Sequence, residues 1–128
     1  LNYVHADIKP NNIMLASKVA GVPTTAGNQI KIIDFGQSCA IGTEKERIQG
    51  TPDYIAPEQV LRKPITVKTD IFNFGATLYW LLTGKHVPTM IPKRGAGVQL
   101  RVEQKTLPPA EVNPQVPPAL SSLVMDCV

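Results

Sequence analysis

His5-Ala6-Asp7-Ile8-Lys9-Pro10-Asn11-Asn12 holds a carboxylate, an ammonium and an amide within six residues, directly ahead of the apolar run Ile13-Met14-Leu15. A carboxylate such as that of Asp7 can orient an attacking hydroxyl and accept its proton. The ammonium of Lys9 can neutralise a phosphoryl group during transfer, and the amide oxygen of Asn12 can hold a magnesium ion. This combination of side chains predicts chemistry on a phosphate group.

Three later segments extend the pattern in order along the chain. Ile30-Lys31-Ile32-Ile33 alternates as a short strand does and leads directly into Asp34-Phe35-Gly36. Gly50-Thr51-Pro52-Asp53-Tyr54-Ile55-Ala56-Pro57-Glu58 follows, and then Thr69-Asp70-Ile71-Phe72-Asn73-Phe74-Gly75 opens a strongly apolar helical stretch. A chance match to one short motif is common, whereas four motifs in one order are informative.

Taken together, these segments resemble the catalytic domain of eukaryotic-type Ser/Thr protein kinases. The octapeptide resembles the catalytic loop, His-Arg-Asp-x-x-x-x-Asn, except that Ala6 stands at the arginine position. Asp34-Phe35-Gly36 is similar to the second magnesium-binding motif, and residues 50–58 are similar to the end of a kinase activation segment. Residues 69–75 look like the start of the central helix of the kinase C-lobe.

The resemblance implies a role for each matching residue. It assigns catalysis to Asp7, Lys9 and Thr51, in which Asp7 acts on the substrate hydroxyl and Lys9 on the transferred phosphate. It assigns the magnesium ion to Asn12 and Asp34. It assigns nucleotide contacts to five residues in all: Lys9, Asn11, Asn12, Met14 and Asp34. The implied cofactors are ATP and Mg²⁺, and the implied partner is a protein substrate with a Ser or Thr hydroxyl.

The expected fold class is α+β: a protein-kinase-like C-lobe fragment, mostly α-helical, with a short β-hairpin at the cleft. Residues 1–128 are expected to form one partial kinase domain that lacks the N-lobe and the last C-lobe helices. On this interpretation the intact parent phosphorylates proteins, and the isolated chain is inactive. The rival interpretation is a pseudokinase that serves as a binding or scaffolding module. A small-molecule kinase of related fold is a third alternative, which residues 50–58 disfavour.

Bulk composition fits a single soluble domain. The 128 residues are 43% hydrophobic and carry a net charge of +3 from interspersed charges, without the basic stripe typical of nucleic-acid binding. Cys39 and Cys127 show neither metal-ligand spacing nor a disulfide framework, which favours a reducing, cytoplasmic location for the chain or the part of a larger protein that contains it. No apolar run approaches the roughly 20 residues of a membrane span.

Several residues have a structural alternative beside the functional interpretation. His5 is expected to bond nearby backbone and, by resemblance, to pack beneath Phe35. Lys9 could be a solvated surface lysine, Thr51 an ordinary turn residue or phosphosite, and Asp70 a plain helix cap instead of a support for the catalytic loop. Ala6 cannot hold a phosphorylated activation segment as arginine does, so we expect no dependence on phosphate at Thr43.

Three expectations concern local conformation. Gly36 is expected to supply a backbone angle that a residue with a Cβ would resist. Glu58 is expected to be solvated or its segment loosened, because the arginine that pairs with it in the family lies far downstream. Tyr3 and Val4 are expected to pack inward.

The remaining pattern predicts the other elements. Residues 1–4 are expected to form the last turn of a helix, and residues 17–29, rich in Gly, Pro and Thr, a long loop. A buried helix capped by Thr69 or Asp70 is expected to run to about Leu82. Residues 85–118 contain many prolines and predict loop, with at most a short helix over 98–104, and helical spacing resumes at residue 119.

Overall fold

A computed structural model describes residues 2–16, 29–88 and 105–128 of the chain. Within these ranges the structure contains four short strands: β1 Tyr3–Val4, β2 Ile13–Ala16, β3 Gln29–Ile32 and β4 Cys39–Ala40. The same ranges contain four α-helices: α1 Pro57–Val60, α2 Val67–Thr83, α3 Pro109–Val112 and α4 Pro118–Cys127. Single 3-10 turns lie at Pro10–Asn12 and Phe35–Gln37. The predicted loop over 17–29 falls outside the described residues except for Gln29, and the short helix over 98–104 falls outside them entirely.

Two antiparallel pairs of strands frame the candidate site. Strands β2 and β3 form the predicted hairpin, in which Met14 pairs with Lys31 and Ile13 with Ile32. Strand β1 pairs with β4, so that Val4 lies opposite Cys39. The prediction of a helical turn over residues 1–4 was therefore wrong, because the backbone there pairs with β4, a partner distant in sequence. Tyr3 is also 69% exposed, contrary to the expectation that it packs inward.

Helix α2 is the longest element and begins earlier than the sequence predicts. Thr66 is its N-cap, since its hydroxyl accepts the Lys68 N–H at 3.2 Å. The Thr69 hydroxyl in return accepts the Thr66 N–H at 3.3 Å, a reciprocal arrangement that satisfies two free donors at a helix start. The helix ends at Gly84, whose φ of 68° is the left-handed conformation common just after a helix.

The main core lies between α2 and α4. Its buried members are Ala76, Tyr79, Val87 and Val124, with Leu120 and Leu82 packed against them. Gly75 allows the two helices to approach closely, because a Cβ there would lie 2.4 Å from the Cβ of Cys127. Helix α4 confirms the helical spacing predicted from residue 119, and α3 is a short helix in a region predicted to be loop.

One face of α2 contradicts the prediction that the helix is buried all round. Phe74 is 44% exposed and Leu81 is 67% exposed, and Ile71 beside them is also exposed. In the described part of the chain, α2 packs mainly against α4, α3 and β1, which cover its opposite side. The helix is rich in apolar residues, as predicted, but the elements in the described part of the chain cover one face of it.

A second, smaller core lies beneath the catalytic loop. Val4, Ala6 and Ile65 are each almost fully buried and pack together with Cys39. This cluster joins the start of the chain to the loop that precedes α2. It places residues 5–12 between the strand pairs and the N-terminal half of α2.

Candidate active site

The three residues predicted to be catalytic meet through their side chains. Lys9 Nζ donates to Asp7 Oδ2 and to Thr51 Oγ1, both at 2.8 Å. Thr51 Oγ1 donates to Asp7 Oδ1 at 3.1 Å. Both Asp7 oxygens are therefore oriented by groups from the chain, and the Asp7 side chain is only 10% exposed. Thr51 lies more than forty residues from Asp7 in sequence, so this contact brings residues 50–58 against the catalytic loop.

Asp70 holds the backbone just before Asp7. Its Oδ2 accepts the His5 N–H at 2.9 Å and its Oδ1 accepts the Ala6 N–H at 2.8 Å. Ala6 has a φ of 62°, a left-handed conformation that costs a residue with a Cβ roughly 1 to 3 kcal/mol unless its surroundings hold it. Asp70 thus supports the geometry of the catalytic loop. It is not the helix cap, because Thr66 is the N-cap of α2.

His5 is a structural residue by its contacts. Its Nε2 lies 3.0 Å from the Ile33 carbonyl oxygen and its Nδ1 accepts the Asp7 N–H at 3.3 Å. These partners assign the proton to Nε2. The ring packs against Phe35 at a centroid distance of 5.1 Å, as the resemblance implies. Both ring nitrogens are engaged by backbone, which favours the structural interpretation over acid and base chemistry.

Asn12 joins the catalytic loop to the strand that precedes Asp34. Its Nδ2 donates to the Asp7 carbonyl oxygen at 2.9 Å, and its own carbonyl oxygen accepts the Ile33 N–H at 2.9 Å. Asn12 is buried, and its side chain approaches Asp7 Oδ2 at 3.4 Å. The amide nitrogen is therefore used within the loop, which leaves Oδ1 as the atom that can act as a metal ligand.

Asp34 has the left-handed backbone conformation that was predicted for Gly36. Its φ is 62°, whereas Gly36 has no positive φ, so the expectation for Gly36 was wrong. The Asp34 side chain explains the exchange, because its Oδ1 accepts the Gly36 N–H at 3.1 Å and closes a local turn. A Cβ at Gly36 would lie 3.1 Å from that same oxygen, a tight contact that would require the Asp34 carboxylate to shift slightly.

The donor atoms fit a magnesium ion. In residues 2–16, 29–88 and 105–128 no cluster of three His, Cys, Asp or Glu side chains is placed to hold a metal. Magnesium, however, is commonly held by one or two protein oxygens together with waters and nucleotide phosphates. The amide oxygen of Asn12 and the second carboxylate oxygen of the exposed Asp34 are donors of that kind.

The residues predicted to contact a nucleotide on β2 and in the turn before it are exposed. Met14 is 52% exposed on β2, and Asn11 is exposed in the turn before it. Ile30 on the neighbouring strand and Phe35 at the end of the hairpin are also exposed. The structure therefore brings Asp7, Lys9 and Thr51 together, while Asn11 and Met14 lie on the surface beside them.

Comparison with known proteins identifies the family. The family model for the protein kinase domain matches residues 1–128. The chain belongs to the protein kinase family. A probable serine/threonine-protein kinase of Clostridium acetobutylicum is 33% identical over 129 residues, which cover 98% of this chain and 18% of the relative. Serine/threonine-protein kinase 17A of Oryctolagus cuniculus is 41% identical over 83 residues, which cover 63% of this chain and 19% of that protein.

A solved structure agrees with this assignment. The chain matches the structure of the Cydia pomonella granulovirus kinase PK-1 with a TM-score of 0.54 and 25% sequence identity, over 66% of this chain and 29% of that one. The chain spans less than a fifth of the length of both curated relatives described above. The predicted kinase resemblance is confirmed, and the kinase-like fold with it.

In this kinase domain, Glu58 has a partner within the chain. Its Oε1 accepts a hydrogen bond from the Thr69 hydroxyl at 2.6 Å, and Thr69 is fully buried. The expectation that Glu58 is solvated or loosened was therefore wrong. This bond is not predictable from the sequence pattern, which indicates only a helix cap at Thr69.

Residues 41–45, which the resemblance places in the kinase activation segment, are held by hydrogen bonds to backbone carbonyl oxygens. Ile41 N–H donates to the Asn2 carbonyl at 2.9 Å, and Gly42 N–H donates to the Ile65 carbonyl at 2.8 Å. Lys45 Nζ donates to the Gln37 carbonyl at 3.0 Å. These bonds order the segment through groups of the chain itself.

Two buried amide side chains near the site were not predicted from the sequence. Gln59 in α1 and Asn73 in α2 are both buried and hydrogen-bonded to each other. Asn73 offered a signal, since it is an amide between Phe72 and Phe74 in the apolar middle of the helix. Gln59 offered none, because a polar residue at a helix end is ordinary.

Aromatic side chains lie next to the end of the activation segment. The ring of Tyr54 meets His86 edge-on at 5.5 Å, and His86 stacks on Trp80 at 6.3 Å. Burial, and secondarily the nearby Asp53 carboxylate, raise the pKa of the Tyr54 phenol.

Proposed function

We propose that the intact parent of this chain catalyses ATP-dependent phosphorylation of Ser and Thr hydroxyls on proteins. The observation that carries the proposal is the contact of the Asp7 carboxylate with both the Lys9 ammonium and the Thr51 hydroxyl. A carboxylate oriented in this way beside an ammonium is the arrangement that phosphoryl transfer to a hydroxyl requires. The serine/threonine kinase names of the relatives support the choice of acceptor.

In this proposal Asp7, Lys9 and Thr51 have separate roles. Asp7 orients the substrate hydroxyl and accepts its proton as the bond to phosphorus forms. Lys9 stabilises negative charge on the transferred group, from its position between Asp7 and Thr51. Thr51 ties residues 50–58, the proposed substrate platform, to the catalytic loop. The alternative of a solvated Lys9 is disfavoured, because its Nζ makes two hydrogen bonds at 2.8 Å.

Asn12 and Asp34 are proposed to hold the magnesium ion through their free side-chain oxygens. Lys9, Asn11 and Met14 complete the nucleotide contacts from this chain. When bound, magnesium-ATP supplies the phosphoryl group to be transferred and the cationic charge that offsets its oxygens. Asn12 also keeps the Asp7 backbone in place through its amide nitrogen. Its side chain is thus proposed both to bind magnesium and to position Asp7.

We propose further that residues 1–128 are the C-lobe portion of the kinase domain and that transfer needs residues beyond them. The exposed apolar side chains of Met14, Ile30 and Phe35 support this, because apolar patches of this kind are commonly interaction surfaces. The free thiols of Cys39 and Cys127 are consistent with a cytoplasmic location of the parent or of the part that contains this chain. No helix in the described ranges is long and apolar enough to cross a bilayer.

Transfer of labelled phosphate from ATP to a protein substrate tests this function. The full-length parent is expected to incorporate phosphate on Ser or Thr with magnesium present, and residues 1–128 alone are expected to incorporate none. Phosphate on tyrosine only, or transfer by the isolated chain, would contradict the respective part of the proposal. Asp126→Asn, which changes an exposed carboxylate on α4, is expected to leave transfer by the full-length parent unchanged.

The second candidate function is a pseudokinase that binds partners without turnover. Ala6 at the arginine position of the catalytic loop favours it. The four side chains Asp7, Lys9, Asn12 and Asp34 favour catalysis instead. A parent that binds magnesium-ATP in a thermal-shift measurement but transfers no phosphate to any Ser or Thr substrate would support the pseudokinase.

A further inference from the structure

The side-chain amide of Gln59 uses all of its hydrogen-bonding capacity. Its Nε2 donates to the Ala6 carbonyl at 2.8 Å and to the Gln49 carbonyl at 3.2 Å. Its Oε1 accepts the Ala56 N–H at 2.9 Å and Asn73 Nδ2 at 3.1 Å. Gln59 is only 4% exposed. One amide therefore joins Ala6 of the catalytic loop and Asn73 of helix α2 to Gln49 and Ala56, which lie just before and within residues 50–58.

The partners determine which way the amide points. Two of them are carbonyl oxygens, which require donors, and two are N–H groups, which require an acceptor. Reversal of the amide would set oxygen against oxygen and NH₂ against N–H at once. A carboxylate of the same shape could keep the contacts to Ala56 and Asn73, but it could not donate to Ala6 or Gln49. Only an amide satisfies all four groups.

Asn73 keeps the acceptor atom of Gln59 in place. Its Nδ2 donates to Gln59 Oε1 and to the Tyr54 carbonyl at 2.7 Å. Its Oδ1 is buried and has no hydrogen-bond partner among the described residues. An unsatisfied buried acceptor is costly, so an apolar residue would be preferred here if Asn73 only filled space. The two donations by Nδ2 are what the asparagine provides.

The contact with Ala6 matters most, because Ala6 is left-handed and directly precedes Asp7. Asp70 holds Ala6 from its N–H, and Gln59 holds it from its carbonyl oxygen. The Ala6 side chain is a methyl group packed against Val4 and Ile65 and offers no polar contact of its own. The conformation that aims Asp7 is therefore held from both sides by side chains of distant segments.

We propose that Gln59 is a positioning residue for phosphoryl transfer: it holds the Ala6 carbonyl and thereby fixes the left-handed turn that aims the Asp7 carboxylate. This inference rests on the proposed kinase activity for its catalytic consequence. The holding of Ala6 itself is independent of activity. Because the same amide holds Gln49 and Ala56, Gln59 also couples the position of the substrate platform to that of Asp7.

The kinetic test uses the full-length parent with Gln59→Met and Gln59→Glu. Both variants remove the donation to Ala6, so kcat per folded molecule is expected to fall roughly tenfold or more, with KM for ATP within about twofold. Gln115→Glu is the matched control, because Gln115 is exposed, and it is expected to change neither value. A kcat that falls only in proportion to the folded fraction would overturn the proposal.

A double-mutant cycle separates positioning from a general loss of packing. Glycine adopts a positive φ without the penalty of a Cβ, so Ala6→Gly makes the turn less dependent on Gln59. In the Ala6→Gly background, Gln59→Met is expected to lower kcat by less than about threefold, compared with roughly tenfold in the Ala6 background. Equal reductions in the two backgrounds would overturn the proposal.

A measurement without turnover distinguishes failure of this inference from failure of the proposed function. Amide hydrogen exchange at Ala6 is expected to accelerate about tenfold in Gln59→Met, while exchange at Thr77 in the middle of α2 stays unchanged. Unchanged exchange at Ala6 overturns the holding role even in an active kinase. If the wild-type parent transfers no phosphate, the proposed function fails, and accelerated exchange at Ala6 still supports the holding of the turn.

Discussion

The two sides of the candidate site differ in how much of their environment this chain provides. On the catalytic side, Asp7 is held by Lys9 and Thr51, and the backbone before it by Asp70. On the nucleotide side, Met14 and Phe35 are largely exposed on and beside a two-stranded hairpin. The contacts that hold Asp7 are thus internal to the chain, whereas Met14 and Phe35, on the side proposed to face the nucleotide, are exposed. Substitutions in the full-length parent test whether the two sides differ in this way.

Loss of the Asp7 carboxylate should have the largest effect. Asp7→Asn keeps the shape of the side chain but cannot accept the substrate proton, so kcat should fall by about 10³-fold. The KM for ATP should change little, because the nucleotide side is left intact. Steady-state kinetics on a peptide substrate provide the measurement, with Asp126→Asn as the control. A variant that retains more than a tenth of wild-type kcat would remove Asp7 from the catalytic role.

Asp70→Asn should destabilise the backbone that precedes Asp7. One of the two acceptors facing the His5 and Ala6 N–H groups becomes a donor, which leaves an N–H opposed by an NH₂ group. The free energy of unfolding should fall by about 2 kcal/mol, as measured by urea denaturation. Asp53→Asn, at an exposed carboxylate, should change it by less than about 0.5 kcal/mol. Equal values for the two variants would mean that the loop does not depend on Asp70.

Thr51→Val should weaken the link between the platform and Asp7. Valine keeps the shape but cannot donate to Asp7 or accept from Lys9, so kcat should fall roughly tenfold. Thr51→Ser should retain most of the activity, because the hydroxyl remains. If valine and serine reduce kcat equally, the hydroxyl is not the group that matters, and Thr51 is an ordinary turn residue.

On the nucleotide side, Met14→Ala should barely affect stability. The side chain is half exposed, so the free energy of unfolding should change by less than about 0.5 kcal/mol. If Met14 contacts the nucleotide in the parent, the KM for ATP should rise a few-fold with kcat unchanged. A large loss of stability would instead show that Met14 packs in a core of the parent, and an unchanged KM would remove it from the nucleotide site.

Thr43→Ala should have the smallest effect. Ala6 offers no charge to a phosphate, and backbone bonds at Ile41 and Gly42 already order this part of the activation segment. The kcat should therefore stay within about twofold of wild type. A variant without activity, together with wild-type activity that depends on phosphate at Thr43, would contradict the proposed independence from a phosphate clamp.

The sequence alone predicted the protein kinase family and most of the residues that are proposed to carry out its chemistry. Asp7, Lys9 and Asn12 lie within one short loop, and their order relative to Asp34 and Thr51 is a linear pattern that needs no coordinates. The apolar spacing also predicted the hairpin and the helices near residues 70 and 120. Local pattern is sufficient for such features because they depend on neighbours in the chain.

The groups that hold residues 5–12 in their conformation could be found only from the folded structure. β1 is a strand because of β4, Glu58 is satisfied by Thr69, and Gln59 and Asn73 act through partners in other segments. The left-handed angle lies at Asp34 and not at Gly36, because the side chain of Asp34 closes the turn. Hydrogen bonds between residues far apart in sequence leave no periodic signal in it, since they depend on where the folded chain brings each donor and acceptor.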